Sequence, residues 1–424
     1  MRNNIYLPRL LDVAVADYLT AFGAVVIEGA KWCGKTWTSR QHSQSEFMLG
    51  SPAGNFQNKR LAELSPALVL DGVVPRLLDE WQEVPLLWDA VRAEVDKRNA
   101  KGQFILTGSA TPNQKGVLHS GAGRIGRLRM RPMSLFEAGL SSGVVSLAEL
   151  CRGRMTPALT GEVELRTLAE HIVRGGWPGN LSVPVANAGL LAKEYLAAIL
   201  ENDIARLDGS KKNVQKMTLL LKSLARNEST TATNKVLKND IRAIDAEDID
   251  DDTIAAYLET FRRLFLLDNQ LPFSPATRSS IRIKQAEKRH LADPSLTCAL
   301  LRLDPEGLIN DLETYGFLFE ALAERDLRVY ANSFGGELYH YQDYKNNEID
   351  AVIELPDKSW CAFEIKLGAN QIDSAANQLL SVNASIEKSG GAPASVLAVV
   401  CGLTNAAYQR PDGVFVVPLT ALKN

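Results

Sequence analysis

The chain has 424 residues, of which 46% are hydrophobic and 23% charged, and its formal net charge is −3. Length and composition are those of a globular protein with two or three domains. The small negative charge excludes a strongly basic surface over the whole molecule, so any contact with nucleic acid or an anionic membrane must be local.

The cysteines and the N-terminal residues indicate which cellular compartment to expect. The five cysteines form no C-x-x-C pair, so neither a zinc site nor a disulfide framework is indicated. No apolar run reaches the roughly 18–20 residues that span a bilayer. Asp12 and Asp17 interrupt the stretch in which a signal peptide would be apolar. We therefore expect a cytoplasmic protein without a membrane partner.

The first elements lead into a phosphate-binding motif. Apolar residues at helical spacing predict an amphipathic helix over 6–20, and the apolar run 24–27 predicts a buried strand. The next residues match G-x-x-x-x-G-K-[ST], in which backbone N–H groups surround phosphates, the lysine reaches the β- and γ-phosphates, and the hydroxyl binds Mg²⁺. The motif predicts an ATP site, with Thr36 as a magnesium ligand, formed by Gly29, Ala30, Lys31, Trp32, Cys33, Gly34, Lys35 and Thr36.

Two later strands carry polar residues at their ends. The segment 41–66 has no clear pattern, whereas 73–80 reads as a short strand that ends in two carboxylates. We predict that Asp79 binds magnesium and that Glu80 orients or deprotonates the attacking water. The alternative is a solvated pair of charges. After a predicted helix over 88–95, a strand over 103–109 beside the acidic strand presents the hydroxyls of Thr107 and Ser109 to the γ-phosphate, or ends in an ordinary turn.

Four arginines follow within eight residues, at 124–131. Three interpretations compete: a solvated edge strand, a patch that faces nucleic acid, or an arginine finger, meaning an arginine that stabilises charge at the γ-phosphate. Arg129 and Arg131 alternate with apolar residues as in a strand. Arg124 and Arg127 lie in a glycine-rich turn and are the finger candidates.

The motifs described so far lie in four segments of the chain: GAKWCGKT, LLDEWQ, FILTGSA and GRIGRLRMRPMSLFE. Two further segments follow, RGGWP at 174–178 and KRHLADP at 288–294. In this order and spacing they resemble a large bacterial and archaeal family in which an AAA-type ATPase domain precedes domain of unknown function 4143. The resemblance covers essentially the whole chain. It implies that Lys35 and Thr36 contact the phosphates and that Asp79 and Glu80 form the acidic pair. It also implies that Ser109 lies near the polar sensor position and that Arg124 or Arg127 is the finger.

The middle of the chain has helical spacing. Helices predicted over 191–207, 214–224, 235–241 and 253–265, followed by strands within 266–273, are typical of a winged-helix module that binds DNA. The reading helix of such a module, 251–263, begins with two aspartates and has arginines only at its end. This charge pattern is poor for a groove helix and favours a structural or partner-binding role.

A second chemical signal lies near the C-terminus. Asp350 begins one predicted strand, and Glu364 and Lys366 end the next on the same face. Asp350 and Glu364 are candidate ligands of a divalent cation, with Lys366 positioning or activating water and Glu320 as a further ligand from an upstream helix. The pattern resembles the restriction-endonuclease-like, PD-(D/E)XK, nuclease core. An inactive domain of that fold is the alternative.

Together the patterns predict an α/β protein with three regions: an AAA-type P-loop ATPase domain over 1–165, a helical, winged-helix-like region over 166–295, and a PD-(D/E)XK nuclease-like domain over 296–424. The predicted function is magnesium-dependent ATP hydrolysis coupled to a nuclease-like domain that acts on nucleic acid. The alternative is a nucleotide-switched regulatory or scaffold protein with an inactive C-terminal domain. The expected ligands are ATP, ADP and Mg²⁺, and the partners considered are DNA, RNA and further copies of the chain.

Overall fold

The computed structural model describes residues 6–111, 118–204, 213–243, 249–276, 285–343, 345 and 347–424. The chain forms two compact units. The first contains the described residues within 1–132, 201–212 and 259–266, and the second those within 133–200, 213–258 and 267–424.

The first unit is built on a parallel sheet of five strands in the order β2-β3-β4-β1-β5. The strands are β1 (Ala24–Glu28), β2 (Ser45–Met48), β3 (Arg76–Asp79), β4 (Phe104–Gly108) and β5 (Ile125–Arg129). The helices are α1 (Leu11–Ala21), α2 (Lys35–Gln41), α3 (Ala53–Leu64), α4 (Pro66–Leu70) and α5 (Leu87–Arg98). Because the strands are parallel, their carboxyl ends meet at one edge, where ligands of such sheets bind.

Burial explains which strands the sequence indicated. β1 and β4 lie inside the sheet and are buried along their whole length, so their sequences are continuous apolar runs. β2 lies at the edge of the sheet and is only partly buried. Its sequence therefore lacks an apolar run, which is why the segment 41–66 gave no prediction.

The first helix begins later than predicted. The expected helix over 6–20 is observed as α1 at Leu11–Ala21. Pro8 disfavours a helical conformation at Leu7. The backbone N–H of Arg9 donates a hydrogen bond of 2.8 Å to Oδ2 of Asp12 instead of entering a helical ladder. Residues 6–10 therefore form a separate segment before the helix.

The second unit contains a mixed sheet of eight strands in the order β7-β13-β14-β12-β11-β10-β9-β8. They are β7 (Ala158–Leu159), β8 (Leu271–Pro272), β9 (Glu337–Gln342), β10 (Glu348–Glu354), β11 (Trp360–Lys366), β12 (Val396–Cys401), β13 (Ala406–Gln409) and β14 (Phe415–Pro418). A separate parallel pair joins β6 (Val145–Ser146) to β15 (Leu422–Lys423). The neighbours β10 and β11 are antiparallel and pair Ala351 with Phe363. This register places Asp350 beside Glu364.

Helices precede and cover this sheet. Apolar residues of Ile372–Lys388 pack in one buried cluster with residues of β10, β11 and β12, and the long helix Leu312–Ser333 is largely buried. The remaining helices outside the first five are Leu147–Leu150, Leu165–Arg174, Val185–Ala198, Val214–Arg226, Asn234–Arg242, Asp251–Arg263, Pro294–Leu301 and Pro305–Asn310. No helix in the described ranges is long and apolar enough to cross a membrane.

The middle region differs from its prediction in two places. The helix predicted over 191–207 is observed at Val185–Ala198, followed by a π-helical turn at Ile199–Asp203, and residues 205–207 lie outside the described residues. The strands predicted within 266–273 reduce to β8 and to two antiparallel bridges that pair Leu267 with Leu291 and Gln270 with Lys288. A long-range partner, the KRHLADP segment, thus completes this short ribbon.

Candidate functional site

The phosphate-binding motif forms the turn between β1 and α2, as its sequence predicts. Gly34 has φ of 106°, a conformation that side chains with a Cβ rarely adopt. A Cβ on Gly29 would lie 2.1 Å from the carbonyl oxygen of Met130. Both glycines of the motif are therefore required by backbone geometry. The loop follows Glu28 at the carboxyl edge of the sheet and leads directly into the N-terminus of α2 at Lys35, where backbone N–H groups attract anions.

Two lysines of the loop have different partners. Nζ of Lys35 donates to the carbonyl oxygens of Gly29, at 3.0 Å, and Ala30, at 2.8 Å. Its ammonium group is buried inside the curl of the loop. Nζ of Lys31 lies 2.6 Å from Oδ1 of Asp203. Lys35 thus contacts the backbone of the loop itself, and Lys31 connects the loop to Asp203, which is distant in sequence.

The remaining loop side chains point in different directions. Trp32 has φ of 65° and is 53% exposed. Cys33 is buried, and its Sγ donates to the carbonyl oxygen of Met130 at 3.6 Å. The loop therefore packs against the segment that follows β5.

A shared carboxylate connects three elements at this edge. The hydroxyl groups of Thr36 and Thr107 both donate to Oδ1 of Asp79, at 2.8 and 2.7 Å. The backbone N–H of Glu80 donates to the Thr107 hydroxyl at 3.0 Å. Hydroxyl and carboxylate oxygens are the ligands that Mg²⁺ prefers, so Thr36 and Asp79 form a donor set that fits this ion. The sequence analysis expected the Thr107 hydroxyl to face the γ-phosphate and did not identify Thr107 as a hydrogen-bond donor to Asp79.

Glu80 is held by a second polar group. It has φ of 60°, and its Oε2 accepts a hydrogen bond of 2.8 Å from the hydroxyl of Ser109. Nε2 of Gln82 contacts the same Oε2 and donates to the Ser109 hydroxyl at 3.2 Å. The structure thus brings together Glu80 and Ser109, two of the residues that the sequence analysis predicted for the nucleotide site. Gln82 is an additional residue that the sequence analysis did not single out.

Arg124 is not placed to act within its own chain. Its carbonyl oxygen accepts from the N–H of Ala24, the first residue of β1, so it lies at the amino edge of the sheet. The phosphate loop is at the other edge, about 15 Å away at the ~3.3 Å rise of each strand residue. Nε of Arg124 is paired with Oδ1 of Asp96 at 2.8 Å. Within its own chain Arg124 therefore lies at the edge opposite the phosphate loop, because parallel pairing fixes the direction of β5.

Arg127 lies within β5 and is held by two neighbours. Its Nη1 is 2.9 Å from Oε1 of Glu28, the last residue of β1, and its guanidinium lies 4.5 Å from the ring centre of Trp88. About half of its side chain is exposed. Arg127 is thus closer to the phosphate edge than Arg124, but its charge is already paired.

The second candidate site lies where β10 and β11 pair. Nζ of Lys366 is 2.9 Å from Oδ2 of Asp350 and 2.7 Å from Oε2 of Glu364. The N–H of Ile365 also donates to Asp350 at 2.8 Å. The structure therefore brings these three predicted residues together, with both carboxylates buried and Lys366 partly exposed.

The two carboxylates differ in their surroundings. Burial by itself raises the pKa of Asp350, but Lys366 and Lys288 more than offset this and lower it. Burial and the charge of Asp350 raise the pKa of Glu364 well above its ordinary value. Neither oxygen of Glu364 receives a hydrogen bond of normal geometry from the described residues. The Glu364 carboxylate thus has an ion pair with Lys366 but no hydrogen bond of normal geometry from the described residues, and a buried carboxylate of this kind fits a site that accepts a cation between Asp350 and Glu364.

The carboxylate of Glu320 forms an ion pair with a buried lysine. Nζ of Lys288 forms an ion pair with Glu320, lies 3.2 Å from Oε1 of Glu324, and donates to the carbonyl oxygen of Asp350 at 3.4 Å. Burial raises the pKa of Glu320 to about 8 despite Lys288. Among the described residues no three His, Cys, Asp or Glu side chains are arranged to hold a metal ion. Glu320 thus lies close to Asp350 without forming a ready third ligand.

His290 extends the same cluster of buried charges. Its Nδ1 lies 3.1 Å from Oε1 of Glu228 and its Nε2 2.5 Å from Oε2 of Glu324. Arg289 donates to the carbonyl oxygen of Ala232 at 2.9 Å. The KRHLADP segment, which was recognised only by resemblance, is therefore an anchor between the helical region and the C-terminal sheet.

Family models match three consecutive parts of the chain. Residues 21–139 match a model described as an AAA domain. Residues 165–307 match a domain of unknown function, DUF8612, and residues 315–422 match another, DUF4143. The first match indicates an AAA-type ATPase domain over residues 21–139, and the last agrees with the resemblance of the C-terminal region. The descriptions of the second and third models name no activity.

Relatives and solved structures match much of the chain at low identity. Uncharacterized proteins of Mycobacterium tuberculosis and Mycobacterium bovis are each 24% identical over 345 residues, which cover 81% of this chain and 70% of the relative. The Walker-type ATPase PABY2304 of Pyrococcus abyssi is similar at 13% identity and a TM-score of 0.42, covering 71% of this chain and 97% of that one. Cdc6p of Pyrobaculum aerophilum is similar at 12% identity and a TM-score of 0.24, covering 71% and 96%.

Proposed function

We propose that the chain is a magnesium-dependent ATPase whose nucleotide site is formed by the loop 29–36, Asp79 and Glu80. The observation that carries this proposal is the set of hydrogen bonds from Thr36 and Thr107 to Asp79, beside a loop whose interior holds the ammonium group of Lys35. Three elements that are distant in sequence thus direct polar groups to the carboxyl edge of the sheet, where parallel sheets bind ligands.

Each residue has a distinct task in this mechanism. The backbone N–H groups of the loop bind phosphate oxygens, and Lys35 exchanges its contacts with Gly29 and Ala30 for contacts with the phosphates. Thr36 and Asp79 would hold Mg²⁺, and the bound ion would supply positive charge that offsets the charge of the phosphate oxygens. Glu80 orients the attacking water and accepts its proton. Ser109 and Gln82 hold the Glu80 carboxylate and set its orientation.

The arginine finger comes from another copy of the chain in this proposal. Arg124 is remote from the loop of its own chain, whereas its guanidinium is about half exposed at the protein surface. Arg127 is also about half exposed, although it is paired with Glu28. Either arginine reaches a γ-phosphate only across a subunit contact or after exchange of partners. An ATPase rate per subunit that rises steeply with protein concentration, and loses that rise in Arg124→Ala or Arg127→Ala, supports this role.

The ATPase proposal is tested by two site variants and one control. Lys35→Ala should abolish binding of Mg-ATP measured by calorimetry. Glu80→Gln should bind Mg-ATP but hydrolyse it at least a hundredfold more slowly, because general-base residues contribute about 10²–10⁴. Glu83→Gln is the control, since Glu83 is exposed and pairs only with Lys59 among the contacts described. Equal turnover by all three variants and the wild type would refute the mechanism.

We further propose that the C-terminal unit carries a restriction-endonuclease-like site that cleaves nucleic acid. Asp350 and Glu364 would hold a divalent cation there, and this ion would polarise a phosphodiester. Lys366 positions the attacking water, since its ammonium group contacts both carboxylates and is the exposed part of the cluster. The ATPase would then control access to this site. The helices and short ribbon before it are proposed as a winged-helix module that contacts DNA.

A scaffold protein with an inactive C-terminal unit is the second candidate. The observation that favours it is that Lys366 and Lys288 already pair with the acidic groups of the site. The test is cleavage of labelled single- and double-stranded DNA and RNA with Mg²⁺ or Mn²⁺, with and without ATP. Metal-dependent cleavage that is lost in Lys366→Ala and kept in Lys358→Ala, an exposed lysine of the adjoining turn, supports the nuclease. Absence of cleavage under all these conditions supports the scaffold.

A further inference from the structure

An arginine that precedes the ATPase core in sequence donates a hydrogen bond to the phosphate loop. Nη1 of Arg9 donates to the carbonyl oxygen of Cys33 at 2.7 Å, and Nη2 donates to the carbonyl oxygen of Arg131 at 2.8 Å. Arg9 is 6% exposed. One buried guanidinium thus joins the loop to the segment that follows β5.

The peptide unit that Arg9 contacts is part of the phosphate cradle. The C=O of Cys33 and the N–H of Gly34 belong to the same planar trans peptide, so they point in opposite directions. A donor that fixes the Cys33 carbonyl on the outside of the loop therefore turns the Gly34 N–H to the inside. The positive φ of Gly34 permits this orientation. Arg9 consequently acts on a group that would donate to a phosphate oxygen.

Arg9 is itself held by its neighbours. Its backbone N–H donates to Asp12 at 2.8 Å, and Asp12 accepts from the hydroxyl of Tyr6 at 2.7 Å and lies 3.1 Å from Nε2 of His42. The hydroxyl of Tyr6 also lies 3.0 Å from that of Thr38 in α2. The segment 6–12 is therefore connected both to the loop and to the helix that follows it.

We propose that Arg9 is a positioning residue for nucleotide binding, which keeps the loop open to phosphates by holding the Cys33 carbonyl outward. The inference rests on the proposed ATP site and adds a residue to it. An arginine suits this task because its planar fork spans two carbonyl oxygens, which a lysine ammonium does not reproduce. Arg9 does not touch the nucleotide, so its effect is on binding and not on the chemical step.

The test compares Arg9→Gln and Arg9→Lys with the control Arg40→Gln, whose arginine is exposed and pairs with Glu46. A hydrogen bond from a charged group contributes about 1.5–3 kcal/mol, which corresponds to a factor of about 10–150 in affinity. We expect Arg9→Gln to raise the Kd for Mg-ATP and the KM by this factor, with kcat changed less than threefold. Arg9→Lys should give an intermediate Kd, and Arg40→Gln should match the wild type.

The outcomes separate this inference from the ATPase proposal. If the wild type does not bind Mg-ATP, the proposed function fails. If the wild type binds and Arg9→Gln, folded by circular dichroism, has an unchanged Kd and KM, the positioning role is refuted. Should Arg9→Gln fail to fold, Arg9→Lys decides: an unchanged Kd and KM refute the role, and a raised KM at constant kcat supports it. A loss confined to thermal stability in both variants also refutes it.

Discussion

Replacing His290 by glutamine should remove a stabilisation that depends on pH. The imidazole lies between the carboxylates of Glu228 and Glu324 and is 6% exposed. Burial alone lowers the pKa of His290, but the two carboxylates outweigh burial and raise it to about 9 from an ordinary value of 6.5. The protonated ring is therefore the form that fits the folded structure.

The size and sign of the effect follow from this pKa. A rise from 6.5 to about 9 corresponds to about 3 kcal/mol at ~1.36 kcal/mol for each tenfold change in proton affinity. Because the folded state binds the proton more tightly, the stabilisation is fully present below pH 6.5. It is lost as the pH rises through 9. The wild type should thus exceed His290→Gln in stability most at pH 6 and least near pH 9.5.

Pulse proteolysis in urea measures the unfolding of the second unit in the full-length chain. The gap in unfolding free energy between the wild type and His290→Gln should shrink by about 3 kcal/mol between pH 6 and 9.5. His340→Gln is the matched control, because His340 is equally buried and burial lowers its pKa to about 4. Its gap should change by less than about 1 kcal/mol over this range and in the opposite direction, because His340 binds a proton near pH 6 only in the unfolded chain. A constant gap for His290→Gln would show that its ring is not held as a cation.

Two further predictions concern the first unit. Asp203→Asn should tighten Mg-ATP binding about two- to fivefold, because Lys31, which is partly exposed, loses its 2.6 Å partner and an ion pair near the surface is worth up to about 1 kcal/mol; weaker binding, measured by calorimetry, would contradict this. Thr107→Val should lower the unfolding free energy by about 2 kcal/mol and weaken Mn²⁺ binding with ADP, because it removes the hydrogen bond to Asp79 and an acceptor. Ser39→Ala, which removes a buried hydroxyl without a hydrogen-bond partner among the described residues, should leave both measurements unchanged.

The sequence predicted the parts of the nucleotide site that are local in the chain. The requirement for glycine at 34 arises within one turn, from its φ of 106°, whereas at 29 the close approach of Met130, a residue distant in the chain, adds to it. The buried strands β1 and β4 are also local signals, since a short apolar run bounded by turn residues is typical of a buried strand. For the same reason Asp350, Glu364 and Lys366 were found from spacing along two strands of one hairpin.

Tertiary structure decided what strand order and distant packing bring together. The Thr107 hydroxyl donates to Asp79 because of the register in which β3 and β4 pair, and the sequence does not specify that register. Arg124 lies at the edge opposite the phosphate loop of its own chain because β5 runs parallel to β1, a direction that residue types do not encode. Lys288 forms an ion pair with Glu320, although the two residues lie in distant segments that share no motif. This contact determines that Glu320, a predicted ligand of the second site, already has a partner.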